Sequence, residues 1–301
     1  MSWLPFVTKR DEKAMLAAAD RGRSLWDDAG RRLMRNKAAV AGMIVLAIVV
    51  AAALVGPYLL PFRYDAIDKT DTWARPLIHG HLLGSDPLGR DLFARILIGL
   101  RVSLAVGVVA TAVSLAIGVA WGAVAGFVGG KVDEAMMRAV DVLYSLPYMF
   151  FVILLVAVFG RNLFLMFFAL GAVSWLTMAR IVRGQTLALK QREFVEAARA
   201  AGLSQAAIIF RHIVPNLLGP VVVYVTLTIP GVILAESFLS FLGLGVQEPL
   251  TSLGSLIALG QDQMDLAPWM LLFPCLVMAV TLAALNFIGD GLRDALDPKD
   301  R

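Results

Sequence analysis

Cysteine occurs once in the 301-residue chain, at Cys275 inside an apolar run. This excludes a disulfide framework and a thiolate-held metal site, and leaves packing as its role. Histidine is nearly as scarce, with only His79, His81 and His212. There is no His-Glu-x-x-His and no Gly-x-Ser-x-Gly run, which argues against an intramembrane hydrolase. His79 and His81 flank Gly80 without an evident third ligand, which argues against a metal site there. Gly130-Lys131 invites comparison with a phosphate loop, but Ala125 and Val132 stand where that loop needs Gly and Ser or Thr. The chain therefore carries no recognisable ATP site of its own. Charge is also sparse, at 17% of positions against 59% hydrophobic, too little for an ordinary soluble domain.

What is present is long stretches free of charge: Ala38–Phe62, Val102–Gly130, Val142–Gly160, Asn162–Ala179, Ile213–Ala235 and Leu266–Gly289. At 1.5 Å per residue such runs are matched to a hydrocarbon core of about 30 Å. They predict an all-α polytopic membrane protein with six transmembrane helices. Lys and Arg alternate in density between the connecting segments, 20 on the side of both termini against 7 on the other. The positive-inside rule puts both termini in the cytoplasm and explains the net charge of +4 without nucleic acid. The charged first 37 residues do not read as a removable signal, so the first span is expected to persist. Leu25, Trp26, Ala29 and Leu33 recur at helical spacing among these charges. That pattern predicts an interfacial helix, with a soluble tail as the alternative.

The resulting plan is a cytoplasmic segment 1–37, span one at 38–62, an outer segment 63–101, a five-helix core 102–291 and a cytoplasmic tail 292–301. Within the core, Ala110, Ser114, Gly118, Gly122 and Gly126 fall every fourth residue on one face of span two. Small residues so placed let another helix approach closely in lipid, within the subunit or at a seam between subunits. Asp133, Glu134, Arg138 and Asp141 are spaced for ion pairs along helical turns at the start of span three. Pro147, and Pro230 with Gly231, mark kinks or local unwinding. In the outer segment Asp86, Arg90, Asp91 and Arg95 are expected to pair locally in a self-capping surface loop. Glu236, in the outer part of span five, has two readings. It faces a translocation pathway with Ser237 and Ser240, meeting a substrate amine, or it hydrogen-bonds Ser237 or Ser240 at the outer interface.

Glu193 to Pro220, EFVEAARAAGLSQAAIIFRHIVPNLLGP, is polar at one end and enters an apolar span at the other. It predicts a short alanine-rich helix, a break at Gly202 in the left-handed C′ position, and a second short helix capped by Ser204. Pro215 is expected where the chain turns into the next span.

The Glu196-Ala197-Ala198 run, Gly202, and the later His212-Ile213-Val214-Pro215 together resemble the EAA loop of binding-protein-dependent ATP-binding-cassette importers. His212 and Val214 depart from the general motif, where Ile and Leu stand. Three further stretches resemble the peptide and nickel permease branch: LGSDPLGRD from Leu83, AESFLSFLGLGVQEP from Ala235, and NFIGDGLRDALDPKDR from Asn286, the last like the C-type subunit of oligopeptide permeases. Ser85 replaces a Thr in the first, and Leu253 stands where many members carry Trp.

This resemblance covers essentially the whole chain. It implies a type I, MetI-like importer permease fold, with a coupling loop at about 184–215 docking on an ATPase through Glu193, Glu196, Ala197, Ala198, Arg199, Gly202 and Pro215. It implies a homologous permease subunit, two cytoplasmic ATPase subunits or domains that use ATP and Mg, and an extracytoplasmic peptide-binding protein. No catalytic residue, cofactor or metal is expected on this chain, which sits in the bacterial inner membrane bilayer. Oligopeptides are the favoured cargo; dipeptides, nickel and glutathione-like compounds are alternatives, as is a secondary transporter, though that class has no use for a docking loop.

Overall fold

The structure, a computed structural model, describes residues 25–160 and 162–296, without the side chains of Leu25 and Trp26. The basic residues before position 25, Arg161 and Asp297 lie outside the described residues. Helix α1 (Leu25–Arg35) leads through the single residue Asn36 into α2 (Lys37–Leu59). The Asn36 side chain caps α2 by accepting from the backbone N–H of Ala38 at 3.1 Å and Ala39 at 3.2 Å. The expected apolar stripe of α1 is not left to a membrane surface alone. Ala29 is buried, and Leu33 lies against Gly291 at the far end of the chain. Helix α2 stops before the predicted Phe62 because Leu60, preceding Pro61, is extended at ψ 143°.

Helix α3 (Leu92–Val128) begins within the segment assigned to the outside, since Asp91 caps it by accepting from Ala94 N–H at 2.7 Å. Its 37 residues span about 56 Å at 1.5 Å each, more than a hydrocarbon core. Pro57 inside α2 removes the N–H that would have reached the Ala53 carbonyl. Arg101 of α3 supplies a substitute, donating from Nε to that carbonyl at 2.9 Å.

The chain then forms α4 (Gly130–Ser145), α5 (Tyr148–Phe159) and α6 (Leu163–Leu189). Five described helices are long and apolar enough to cross a membrane, and α4 with α5, bent by 83° at their break, qualifies as a sixth when the two are taken as one broken crossing. The sequence predicted a kink or local unwinding near Pro147, and the structure shows the helix interrupted there. Leu146 is extended at ψ 137°, as the residue before a proline tends to be, and neither half has the length to cross alone.

After α7 (Glu193–Ala200), α8 (Gln205–Ile208) passes through one π-helical turn, Ile209–Ile213, directly into α9 (Val214–Phe241). Pro215 therefore marks no turn of the chain, contrary to expectation. It has no N–H for the Arg211 carbonyl, and the widened turn absorbs the misfit, with Val214 N–H reaching back to Ile209. Likewise α9 continues through Pro230 and Gly231 without unwinding. A short helix unforeseen from the sequence, α10 (Leu253–Asp262), precedes α11 (Trp269–Leu296), which continues past the expected start of the tail at 292 and carries Asp290, Arg293 and Asp294.

The centre of the bundle is the α3–α6 pair. Ala110, Ser114, Gly118, Gly122 and Gly126 are all buried, and a Cβ on Gly118 would stand 2.6 Å from Met178 Cβ. The stripe is thus a seam inside the subunit. Gly118→Leu is expected to destabilise the protein by about 1–3 kcal/mol or more through overpacking, read as a lower unfolding temperature in detergent; an unchanged temperature would contradict this packing.

Candidate functional site

Three arrangements carry chemistry-bearing side chains: at the end of the bundle formed by the α2–α3 segment, in the middle, and at the end that carries the α7–α8 knob, the two ends being named outer and inner by the orientation expected from the basic residues. At the outer end, turns between α2 and α3 bring Asp86 to the centre of a buried charge cluster. Its Oδ1 accepts from the N–H of Leu88 at 2.8 Å and of Arg90 at 3.0 Å, while Oδ2 accepts from Arg90 Nε at 2.6 Å and faces Arg95 Nη1 at 3.2 Å. Glu248, from the loop between α9 and α10, meets Arg90 Nη2 at 2.9 Å. Two guanidiniums and two carboxylates balance, which is what makes burial of Asp86, Arg90 and Arg95 tolerable. The local pairing expected from the sequence forms, but in a buried clasp that joins two distant outer segments. Asp91 departs from it, pairing with His81 Nδ1 at 2.8 Å. His81 is buried, stacks on Phe62 and faces Asp71 on its other side at 3.6 Å; His79 Nδ1 lies 2.6 Å from the same Asp71.

Behind this clasp Glu236 is fully buried at 0% exposure. Its Oε1 accepts from Ser240 Oγ at 2.6 Å and its Oε2 from Ser103 Oγ of α3 at 3.1 Å. Ser103 Oγ in turn accepts from Leu253 N–H at 3.1 Å, and Ser240 Oγ lies 3.1 Å from Ser252, whose capping box with Ser255 starts α10. The hydrogen-bonded reading of Glu236 therefore matches the geometry, with Ser240 as one partner. Ser237 is directed elsewhere, to Met278 Sδ at 3.4 Å. Ser103 and Ser252 escaped sequence reasoning because their partners are distant in the chain.

In the middle, a cavity of about 650 Å³ opens where α4 breaks from α5, walled by α6 and α9; Glu236, Ser237 and Ser240 do not line it. Beside it, Asp133 and Asp141 of α4 pair across to α6, not along their own helix as predicted. Asp133 accepts both Arg183 Nε at 2.6 Å and Nη2 at 2.7 Å, and Asp141 accepts from Arg180 at 2.8 Å. Arg180 also stacks over the Tyr144 ring, 4.2 Å from its centroid.

At the inner end, α7 closes with the hydrogen bonds of a Schellman motif. Gly202 N–H reaches Arg199 and Leu203 N–H reaches Ala198, with Gly202 at φ +77° as its sequence position predicted. Ser204 caps the next helix through Ala207 N–H at 3.3 Å. Val195, Ala198, Ile208, Ile213 and Leu217 are buried together against Ala123 and Phe127 of α3 and Met178 and Val182 of α6. Of the residues implicated in docking, Glu193, Glu196, Ala197, Arg199, Gly202 and Pro215 are exposed, whereas Ala198 faces the interior. Arg199 lies over the Phe127 ring, 5.4 Å from its centroid. Phe210, 69% exposed on the same knob, was passed over in the sequence because an aromatic in an apolar run reads as core.

The fold is an all-helical bundle with a two-helix knob and a broken helix pair, and matches to known proteins give its class as a membrane component of a transport system. The chain belongs to the family described as binding-protein-dependent transport system inner membrane component, whose model matches residues 114–301. Residues 24–76 match the N-terminal TM domain of oligopeptide transport permease C. Over 281 residues the chain is 59% identical to the oligopeptide transport system permease protein OppC of Escherichia coli K12, covering 93% of each. It is 55% identical to OppC of Haemophilus influenzae, covering 93% of this chain and 90% of that one. It is 44% identical to the dipeptide transport system permease protein DppC of Bacillus subtilis, over 92% of this chain and 87% of that one. The fold is shared with a chain of the MetNI methionine ABC transporter, at a TM-score of 0.53 and 18% identity, over 67% of this chain and 96% of that one.

Arg90, donating its hydrogen bond, holds the Glu248 carboxyl below the ordinary carboxylate value of 4.5. A depressed value means that the contact stabilises fully above the unfolded value and fades as pH falls through the folded one. Wild type is therefore expected to unfold at a slightly higher temperature than Glu248→Gln at pH 7, with the gap closing in acid. The gap is small because Glu248 is 64% exposed. A difference independent of pH would contradict the clasp.

Proposed function

We propose that this chain is the permease subunit of an ATP-driven oligopeptide importer, contributing half of a translocation pathway. The near full-length identity of 55–59% to oligopeptide permease proteins carries this reading. A homologous membrane subunit supplies the other half, an extracytoplasmic binding protein delivers the peptide, and two ATPase subunits or domains inside use ATP and Mg. The chain itself binds no cofactor or metal and performs no covalent chemistry. Its termini lie in the cytoplasm, as the basic-residue asymmetry implies, which puts the α7–α8 knob on the side where ATP is available.

Glu193, Glu196, Ala197, Arg199, Gly202, Phe210 and the exposed Pro215 form the docking face, with Ala198 shaping it from behind. Because Val195, Ala198, Ile208 and Ile213 pack on α3 and α6, a push from closing ATPases passes into the central helix pair as a rigid displacement. Dipeptide and glutathione permeases are also related, at 44% and 39% identity, and rank behind the oligopeptide reading on that ground.

Uptake of labelled di- to pentapeptides and of nickel, in cells lacking this gene with the neighbouring subunits intact, tests the cargo. Peptide uptake is expected to disappear; loss of nickel uptake alone would overturn the oligopeptide assignment. Coupling is tested separately with Gly202→Pro, which cannot adopt φ +77°, and with Glu196→Lys. Both are expected to insert normally yet lower peptide-stimulated ATP hydrolysis of the purified complex by about tenfold, a loss of 1.4 kcal/mol. Hydrolysis at the wild-type rate would remove the knob from the coupling path.

A further inference from the structure

The cavity at the α4–α5 break has the size of a small-ligand site, about 650 Å³, and no Asp, Glu, Lys, Arg or His in its wall. Tyr144, Tyr148 and Tyr224 supply aromatic surface, and Ser174, Thr177 and Thr228 supply hydroxyls. Ser174 donates to the Leu170 carbonyl at 2.9 Å and Thr228 to the Tyr224 carbonyl at 2.8 Å. With their protons directed into their own helices, these oxygens remain able to accept hydrogen bonds from the cavity.

The break itself indicates what covers this face. Helices α4 and α5 qualify as a crossing only when joined, so Leu146 and Pro147 interrupt the helix within the crossing, and both are exposed. Non-helical backbone at that depth stands only where it meets protein or a water-filled space, since hydrocarbon offers it no hydrogen bonds. A packed partner helix has its own backbone satisfied and has little to offer. Water, and the amide backbone of a passing peptide, supply both donors and acceptors.

We infer that this cavity is a peptide subsite on the translocation path, one that holds the uncharged main chain of an extended peptide by hydroxyls and rests its side chains on tyrosine rings. The inference rests on the oligopeptide reading above and assigns the site's chemistry. With no fixed charge in the wall, peptides of different sequence are treated alike; the selectivity follows from what the wall lacks. A single charge introduced there should therefore create a preference where none exists.

Gly231 lines the cavity, and a Cβ built on it meets nothing within 4 Å, so a side chain can start there without a clash at its first atom. The complete transporter with its binding protein, in proteoliposomes, is assayed for uptake of Ala-Lys-Ala and Ala-Glu-Ala. Gly231→Asp is expected to raise the ratio of cationic to anionic peptide uptake by about tenfold, and Gly231→Lys to lower it by about as much. As a control on folding, Gly231→Cys in a Cys275→Ser background receives a positively or a negatively charged thiol reagent after assembly, and the ratio should move in the same two directions. Unchanged ratios, or equal loss of both peptides whatever the sign of the charge, would overturn the subsite. Failure of the wild-type transporter to carry either peptide would instead overturn the oligopeptide reading on which the subsite depends.

Discussion

The close approach of α3 and α6 is the constraint on which the rest of the structure depends. Two helices in lipid gain little from hiding apolar surface, because the lipid is as apolar as they are; contact has to come from fit. The buried run from Ala110 to Gly126 removes side-chain bulk every fourth residue, and Met178 and Val182 fill the space. The candidate sites all rest on this pair. The knob packs on its inner ends, the cavity opens beside α6, and Ser103 near the outer end of α3 anchors Glu236.

Backbone hydrogen bonding shapes the elements around that pair. A proline removes a donor, and at three of them the chain answers in three different ways. At Pro57 a guanidinium from another helix fills the gap; at Pro215 a widened turn accommodates it; before Pro147 the helix simply ends. The third solution is workable only against water or protein, so the fold has an opening at that point. Glu236, among the described residues the one carboxyl on a spanning helix with no exposure at all, is handled by the same logic, enclosed by hydroxyls from α3 and its own helix.

Charge is arranged in two layers that never enter the cavity. The outer clasp of Asp86, Arg90, Arg95 and Glu248 ties the segment before α3 to the loop before α10. The inner pairs, Asp133 with Arg183 and Asp141 with Arg180, tie the first half of the broken crossing to α6. Between them lies an uncharged wall of tyrosines and hydroxyls, suited to a cargo whose common feature is an amide backbone.

The sequence by itself determined the crossings, the side on which basic residues gather, and the knob with its left-handed glycine. These depend on local quantities: run length, charge density, and a backbone conformation that only glycine enters easily. Even the small-residue stripe was legible, because its period is that of a single helix. Tertiary structure decided which partners met. Whether Asp141 pairs along its helix or with Arg180, and whether Glu236 meets a cargo or Ser103, depends on residues far apart in the chain brought together by packing. Boundaries shifted for the same reason: α3 starts at Leu92 since a clasped outer segment presents Asp91 as its cap, and Pro215 rides within a helix since a widened turn was available. Local chemistry sets what each segment is able to do; only the contacts choose among those options.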